Sequence, residues 1–190
     1  PPQISVMQNI DLNQAKQLLE PLQTIDFYLG DDQLMVHAGT KVLCFTQNVP
    51  QCYAALVLGC DKPKRTHDAK RAYRQALEQG EMVTDLVFST ELAGYLLDTL
   101  AKSYELSLLE QQYLQETADP FFCFPQLCQA MESKLIEAGM DWLLHQVEIP
   151  LSLVLADMER TGFAVDAGGV RAFGEMLQAQ IEQMTKQIYL

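Results

Sequence analysis

The sequence has 190 residues, with 25 acidic side chains against 13 basic ones and a formal net charge of −12. Its hydrophobic fraction of 48% is typical of globular proteins, and no apolar run approaches the roughly 18 residues of a membrane span. Because proteins hold nucleic acid largely through Lys and Arg on phosphates, this charge balance argues against strong, independent DNA binding.

The N-terminal part of the sequence predicts one helix followed by three consecutive strands. Apolar residues recur at helical spacing over residues 12–22, and Asp11 is positioned to cap that helix. Strand-like runs follow at residues 25–29, 33–38 and 41–46. Gly39 and Thr40 separate the last two runs and predict a tight hairpin turn.

The middle of the sequence alternates strands with helices. A short helix follows Pro50, a short strand at 64–66 leads into a helix over 68–79, and a buried strand at 84–88 precedes a helix over 90–97. Two further helical patterns cover 103–114 and 120–138. This order predicts an α/β chain with a mixed sheet covered by helices, rather than an all-parallel sheet.

From residue 141 onward the pattern is helical only. Pro150 lies within an apolar stripe, where it should kink the helix or mark a restart, and Gly162 ends that helix. Asp166 can cap the last helix. Its apolar residues recur at a spacing close to a heptad (Val170, Phe173, Leu177, Ile181, Met184 and Ile188). We expect this seam to be partly exposed or to self-associate, and the chain, which begins with Pro1, to be part of a longer protein.

Cysteines and histidines do not predict a metal site. The five cysteines include no CxxC pair, and the three histidines are scattered (His37, His67 and His145). The first residues lack the basic start and apolar core of a secretory leader. We therefore expect reduced thiols, a cytoplasmic location and no membrane partner.

The sequence also contains one local cluster of basic residues, despite its acidic net charge. It contains Lys62, Lys64, Arg65, Lys70, Arg71 and Arg74. A solvated turn and helix face is the favoured interpretation, and a patch that contacts a nucleic-acid backbone is the alternative.

Four segments, taken in order, resemble bacterial DNA polymerase I, a family A DNA polymerase. VEIPLSLVLADMERTGFAVD at 147–166 is similar to the link between the exonuclease-like domain and the thumb of the polymerase domain. THDAKRAYRQAL at 66–77 resembles the second exonuclease motif of this family, and FSTELAGYLLD at 88–98 and SYELSLLEQQYL at 103–114 resemble the segments after it. The resemblance covers essentially the whole chain.

This resemblance implies a fold and a domain organisation. The implied fold is the ribonuclease-H-like 3′-5′ exonuclease fold, with a mixed five-stranded sheet flanked by helices and a C-terminal helical extension. Residues 1–140 would form a degenerate exonuclease-like domain, and residues 141–190 a helical linker with the first thumb helix. The parent chain would be a DNA-directed DNA polymerase, a nucleotidyltransferase of DNA replication and repair.

The resemblance also identifies the positions where a nuclease of this family would hold two divalent metals. The DxE motif falls on residues 26–28, so Asp26 matches the first acid and Tyr28 replaces the second. The second motif, NxKxD, falls on 68–72 and puts Ala72 at its Asp. The third, YxxxD, falls on 121–125 and replaces its Tyr with Phe121 and its Asp with Pro125. We therefore expect no catalytic, metal or cofactor-binding residues in this chain.

Three functions remain open at this point. The favoured one is a vestigial, inactive exonuclease domain that packs on its polymerase domain as a scaffold and meets DNA through the parent, whose polymerase would use Mg²⁺. The second is an active proofreading exonuclease with displaced ligands, drawn from the other acids of the sheet region (Asp31, Asp32, Asp68, Asp85 and Asp98). The third is an acidic protein-interaction module.

Overall fold

The computed structural model describes residues 5–115 and 121–189, which form two compact units, Pro1–Arg160 and Thr161–Leu190. The first unit contains the sheet, and the second contains one long helix. The boundary predicted near residue 140 stays a prediction of domain organisation, since compact packing by itself divides the chain after Arg160.

The first unit alternates strands and helices, with two single turns of π-helix. Its elements are β1 (Ser5–Gln8), α1 (Leu12–Leu19), β2 (Ile25–Leu29), β3 (Leu34–Ala38), β4 (Lys41–Phe45), α2 (Val49–Tyr53), π1 (Ala54–Leu58), β5 (Lys64–Thr66), α3 (Ala69–Glu78), β6 (Leu86–Ser89), α4 (Thr90–Leu97), α5 (Leu106–Leu114), α6 (Phe124–Glu137), α7 (Asp141–Leu143), π2 (Leu144–Glu148) and α8 (Ile149–Thr161).

The strands form one mixed sheet in the order β1-β4-β3-β2-β5-β6. Strands β2, β3 and β4 are antiparallel, as predicted, and the outer strands β1, β5 and β6 run parallel to their neighbours. The predicted count of five strands was wrong, because Ser5–Gln8 adds a sixth beside β4. This edge strand is mostly exposed, so it lacks the apolar run by which buried strands are found.

Strand β2 contributes to both faces of the sheet, because successive side chains of a strand point to opposite sides. Ile25 and Phe27 face one side, where the ring of Phe27 lies 5.7 Å from that of Tyr53 in α2. On the other side, the ring of Tyr28 lies 6.3 Å from that of Phe121, just before α6. Helices therefore cover the sheet on both faces, and the strand positions singled out by the DxE motif face α6.

The capping residues expected from the sequence are confirmed. Asp11 accepts hydrogen bonds from backbone N–H groups of α1, and Asp68 accepts one from the N–H of Arg71 in α3. Pro150 lies just after the π2 turn, and such a local change of helix type accompanies the N–H that proline lacks. The helical run does not restart at Pro150, because π2 continues directly into α8 and Ile149 keeps right-handed helical dihedral angles.

The second unit contains α9 (Ala167–Ile188), which begins at the predicted cap. Asp166 accepts a hydrogen bond of 3.0 Å from the N–H of Gly169. The apolar residues of α9 repeat every 11 positions, for example from Val170 to Ile181. An 11-residue repeat corresponds to about 3.67 residues per turn, so it favours a nearly straight or right-handed packing rather than a left-handed heptad coil. No helix in the described parts of the chain could cross a membrane.

Candidate functional site: the sheet face below α6

The site begins at Asp26, the position that matches the first acid of the DxE motif. Strands β2 and β5 are parallel, and their register places Asp26 opposite Arg65. The Nε of Arg65 donates to Oδ1 of Asp26 at 2.6 Å, and its second terminal nitrogen donates to Oδ2 at 2.7 Å. Both oxygens of the carboxylate are therefore engaged by one guanidinium in the bidentate geometry that Arg favours.

This ion pair is largely shielded from water. The side chain of Asp26 is 8% exposed and that of Arg65 is 21% exposed. Burial opposes the charge of Arg65, but the hydrogen bonds to Asp26 and the nearby negative groups raise its pKa. A metal ion approaching Asp26 would have to displace this guanidinium from both oxygens.

Tyr28 stands where the second acid of the motif would be, and its ring belongs to an aromatic cluster. The ring lies 6.2 Å from that of His67 in a stacked arrangement and 6.3 Å from that of Phe121. Phe121 in turn lies 5.0 Å from the ring of Phe124 and 6.1 Å from that of His37. The space around the second motif position is thus filled by rings in place of carboxylates.

Phe121 itself has a strained backbone. Its φ is +85°, a region that non-glycine residues rarely adopt and that costs about 1–3 kcal/mol. The N–H of Phe121 donates to a carboxylate oxygen of the buried Glu110 at 3.0 Å, and the ring is fully buried. A buried hydrogen bond and close ring packing hold the residue in this conformation.

The structure places the five positions singled out by the sequence in different surroundings. Asp26, Tyr28 and Phe121 lie close together around His37. Ala72 lies in the hydrophobic core, where its carbonyl oxygen accepts a hydrogen bond of 2.9 Å from the hydroxyl of Tyr53. Pro125 is half-buried in the first turn of α6.

The other acids considered as displaced ligands serve turns and caps. Asp31 pairs with Arg71 at 2.6 Å, and the exposed Asp32 lies in the same turn. Asp68 caps α3, and Asp98 ends α4 and accepts from a backbone N–H of the next turn. Within residues 5–115 and 121–189, no three His, Cys, Asp or Glu side chains are grouped to hold a metal ion.

The structure corrects the sequence interpretation of the basic cluster as a solvated face. A solvated face is wrong for Lys64, which is fully buried, with its Nζ donating to the carbonyl oxygens of Cys60 at 2.6 Å and Lys62 at 2.9 Å. It is also wrong for Arg65, which belongs to the buried ion pair. The bases of α3 do lie at the surface, and each has an acidic partner there (Lys70 with Glu159, Arg71 with Asp31, and Arg74 with Glu78).

Two histidines of the site were not recognised from the sequence as part of it. Burial lowers the pKa of His67 to about 4, and its Nδ1 lies 2.8 Å from the hydroxyl oxygen of Thr90. Burial also lowers the pKa of His37, whose Nε2 lies 3.2 Å from the carbonyl oxygen of Phe122. His67 reaches Tyr28 from the bend after β5, and His37 joins the cluster through the ring of Phe121, so no local motif could have assigned either ring to the site.

A cavity of about 540 Å³ opens beside this cluster. Tyr28, His67 and Phe122 line it together with aliphatic and polar side chains from β1, β3 and the start of α5. The cavity therefore lies on the face of the sheet to which Tyr28 points.

No protein-family profile matches the chain. It is 27% identical over 143 residues to a DNA polymerase I of Caldicellulosiruptor bescii, an alignment that covers 70% of this chain and 17% of that protein. It is 30% identical over 132 residues to DNA polymerase I of Mycobacterium bovis, over 55% of this chain and 15% of that protein. The chain thus spans about a sixth of the length of these relatives.

Solved structures agree on the fold. The polymerase domain of Pol1 from M. smegmatis, in complex with DNA primer-template and dNTP, superposes with a TM-score of 0.71 at 23% identity and covers 93% of this chain and 35% of that one. Brucella melitensis NrnC bound to pGG superposes with a TM-score of 0.60 at 11% identity, over 87% of this chain and 97% of that one. The chain therefore resembles a region of bacterial DNA polymerase I, and it has the ribonuclease-H-like exonuclease fold.

Proposed function

We propose that this chain is a vestigial, catalytically inactive 3′-5′ exonuclease domain that serves as a scaffold for the polymerase domain of a DNA-directed DNA polymerase. The observation that carries the proposal is the bidentate pair between Asp26 and Arg65. The one acid kept from the first motif is already neutralised by a cation of its own chain.

The residues present do not fit the two divalent metals used by exonucleases of this family. Hard cations need several oxygen ligands that converge on one point, and two metals need more than one carboxylate. In this chain an aromatic ring and two apolar residues occupy the other ligand positions (Tyr28, Ala72 and Pro125). We therefore assign no cofactor to this domain, and we expect Mg²⁺ chemistry only in the polymerase part of the parent.

A scaffold role is supported by the way the last helix of the first unit is attached. Ile149, Ser152 and Ala156 form the buried face of α8, and the small Ser and Ala side chains allow close approach to the body. An exposed ion pair of 2.8 Å joins Glu159 of α8 to Lys70 of α3. Because the first unit ends just after this point, α8 would give the polymerase part a fixed base.

The partner expected for the parent chain is DNA. The Pol1 structure from M. smegmatis was determined with DNA primer-template and dNTP, and the same setting is proposed for the protein that contains this domain. The isolated domain should bind DNA weakly or not at all, because its net charge is −12 and the bases of α3 are paired with acids.

The proposal is tested with a 5′-labelled single-stranded oligonucleotide and the purified chain in Mg²⁺ or Mn²⁺. We expect no shortening of the oligonucleotide above the level of a chelator control. The matched variants are Asp26→Ala, at the motif position, and Asp141→Ala, an acid of α7 far along the chain. Metal-dependent degradation that Asp26→Ala abolishes and Asp141→Ala leaves intact would establish the alternative, an active exonuclease with displaced ligands.

A further inference from the structure

The cavity beside Tyr28 is lined by aromatic side chains. Tyr28, His67 and Phe122 line it, and all three are only partly buried, so each keeps surface exposed toward the cavity. The backbone of Phe122 is fixed by the contact of its carbonyl oxygen with His37 at 3.2 Å, and His67 is fixed by Thr90 at 2.8 Å. The walls are therefore formed by rings that their own chain holds in place.

The charge in this cavity has one sign. Glu105 lines it at the start of α5, with Gln33 and Met35 on the opposite strand side, and its described lining contains no Lys or Arg. Burial lowers the pKa of His67 to about 4, so its ring is neutral at pH 7. Among the described residues the carboxylate of Glu105 makes no hydrogen bond or ion pair, and it caps no backbone N–H of α5.

A cationic side chain that acts on Tyr28 is paired with acids of its own chain. Arg71 is electrostatically coupled to Tyr28, but its guanidinium lies 2.6 Å from Asp31 and 3.6 Å from Asp68. An anionic group such as a phosphate would therefore find no free partner in the cavity, whereas a cation would find the faces of the rings and the carboxylate of Glu105.

We propose that this cavity binds an organic cation, an alkylammonium or guanidinium group, between the aromatic rings of Tyr28 and Phe122 and the carboxylate of Glu105. A cation within about 6 Å of an aromatic centroid is attracted by the electron-rich face of the ring. A volume of about 540 Å³ lies within the range of small-ligand sites. The ligand class differs from the anionic, metal-bound substrate of an exonuclease.

This inference rests on the proposed function only in treating Tyr28 as an aromatic wall and not as part of a metal site. The proposed function and the cation site are tested by different experiments, so either can be refuted without the other. The oligonucleotide assay decides whether the domain is a nuclease, and ligand titration without any divalent metal decides whether the cavity takes a cation.

The test is a titration followed by NMR at fixed ionic strength, with the methyl group of Met35 and the ring of His67 as local reporters. Four probes are compared: butylammonium, N-acetyl-lysine amide, n-butanol and 2′-deoxyadenosine. We expect the two ammonium probes to give saturable shifts at both reporters and n-butanol to give none. Tighter binding of the lysine probe would identify a protein side chain as the source of the cation, and tighter binding of butylammonium a free amine.

Matched variants separate a specific site from general attraction to an acidic protein. Glu105→Gln removes the charge from the cavity, and Glu81→Gln removes one from an exposed position elsewhere. Glu105→Gln and Tyr28→Leu should each weaken butylammonium binding by about two- to fivefold, whereas Glu81→Gln should leave it unchanged. Equal effects of the two Glu variants, equal binding of n-butanol, or binding of 2′-deoxyadenosine alone would overturn the proposal.

Discussion

The sign of the change in unfolding free energy in Asp26→Asn decides whether this acid is a structural partner or a remnant of a ligand site. In a cluster of carboxylates, each acid repels its neighbours, so removing one charge stabilises the fold. In the structure, Asp26 instead holds Arg65 through two hydrogen bonds of 2.6 and 2.7 Å. Asp26→Asn should therefore destabilise the protein.

The magnitude follows from the burial of the two partners. Removing one member of a fully buried pair costs about 3–5 kcal/mol. Here the side chain of Arg65 is 21% exposed, so water relieves part of the loss, and we expect about 2–3 kcal/mol. For a domain of this size that loss lowers the melting temperature by about 4–12 °C.

The assay is urea unfolding followed by circular dichroism, with Asp26→Asn, Arg65→Gln and the double variant. The double variant should be more stable than the sum of the single losses predicts, with a coupling of about 1.5–3 kcal/mol. Addition of Mg²⁺ should not change the unfolding midpoint of the unmodified chain. An increase in stability for Asp26→Asn, or a coupling near zero, would refute the reasoning.

Four further outcomes are expected. Lys64→Met should cost about 1–3 kcal/mol in urea unfolding, because it leaves the partly buried carbonyl oxygens of Cys60 and Lys62 without a donor, whereas Lys102→Met at an exposed position should cost nearly nothing. Burial lowers the pKa of His67 in the folded protein from 6.5 to about 4, so the unfolded chain binds this proton more tightly. The free energy of unfolding should therefore fall as pH drops from about 6.5 to 4, by at most about 3 kcal/mol, and the fall should be smaller in His67→Asn. Gly94→Ala should destabilise by about 1–2 kcal/mol, because a Cβ there meets Leu109 at 3.0 Å, whereas Gly174→Ala in α9 meets nothing and should raise helicity by circular dichroism. Sedimentation should show self-association through the apolar stripe of α9; a strict monomer with that helix ordered would contradict it.

Much of the fold could be predicted because its signals are local. Asp11 and Asp68 cap helices through bonds to N–H groups two or three residues away, and Gly39 turns the hairpin through its own positive φ. The order of strands and helices then limits the chain to a mixed sheet. The edge strand β1 was not predicted from the sequence, because it is defined by its pairing with β4 and has no apolar pattern of its own.

The candidate site depended far more on tertiary structure. The sequence aligned Asp26 and Tyr28 with the DxE motif, but it treated Arg65 as a solvated base and did not connect His37 or His67 to the motif. The partner of Asp26 became visible only when β5 paired beside β2. Likewise, the buried position of Lys64 follows from carbonyl groups that the turn before β5 presents to it.

The sequence by itself determined the class of fold, the helix caps and the residue types at the aligned motif positions, since residue type and short-range spacing carry that information. Only the tertiary structure decided what surrounds these positions. It joined Asp26 to Arg65 and gathered the rings of Tyr28, His67 and Phe121 on one face of the sheet. The physical reason is that a strand pairing and a helix packed across it bring together side chains from distant segments, and no periodicity within a segment specifies which of them will meet.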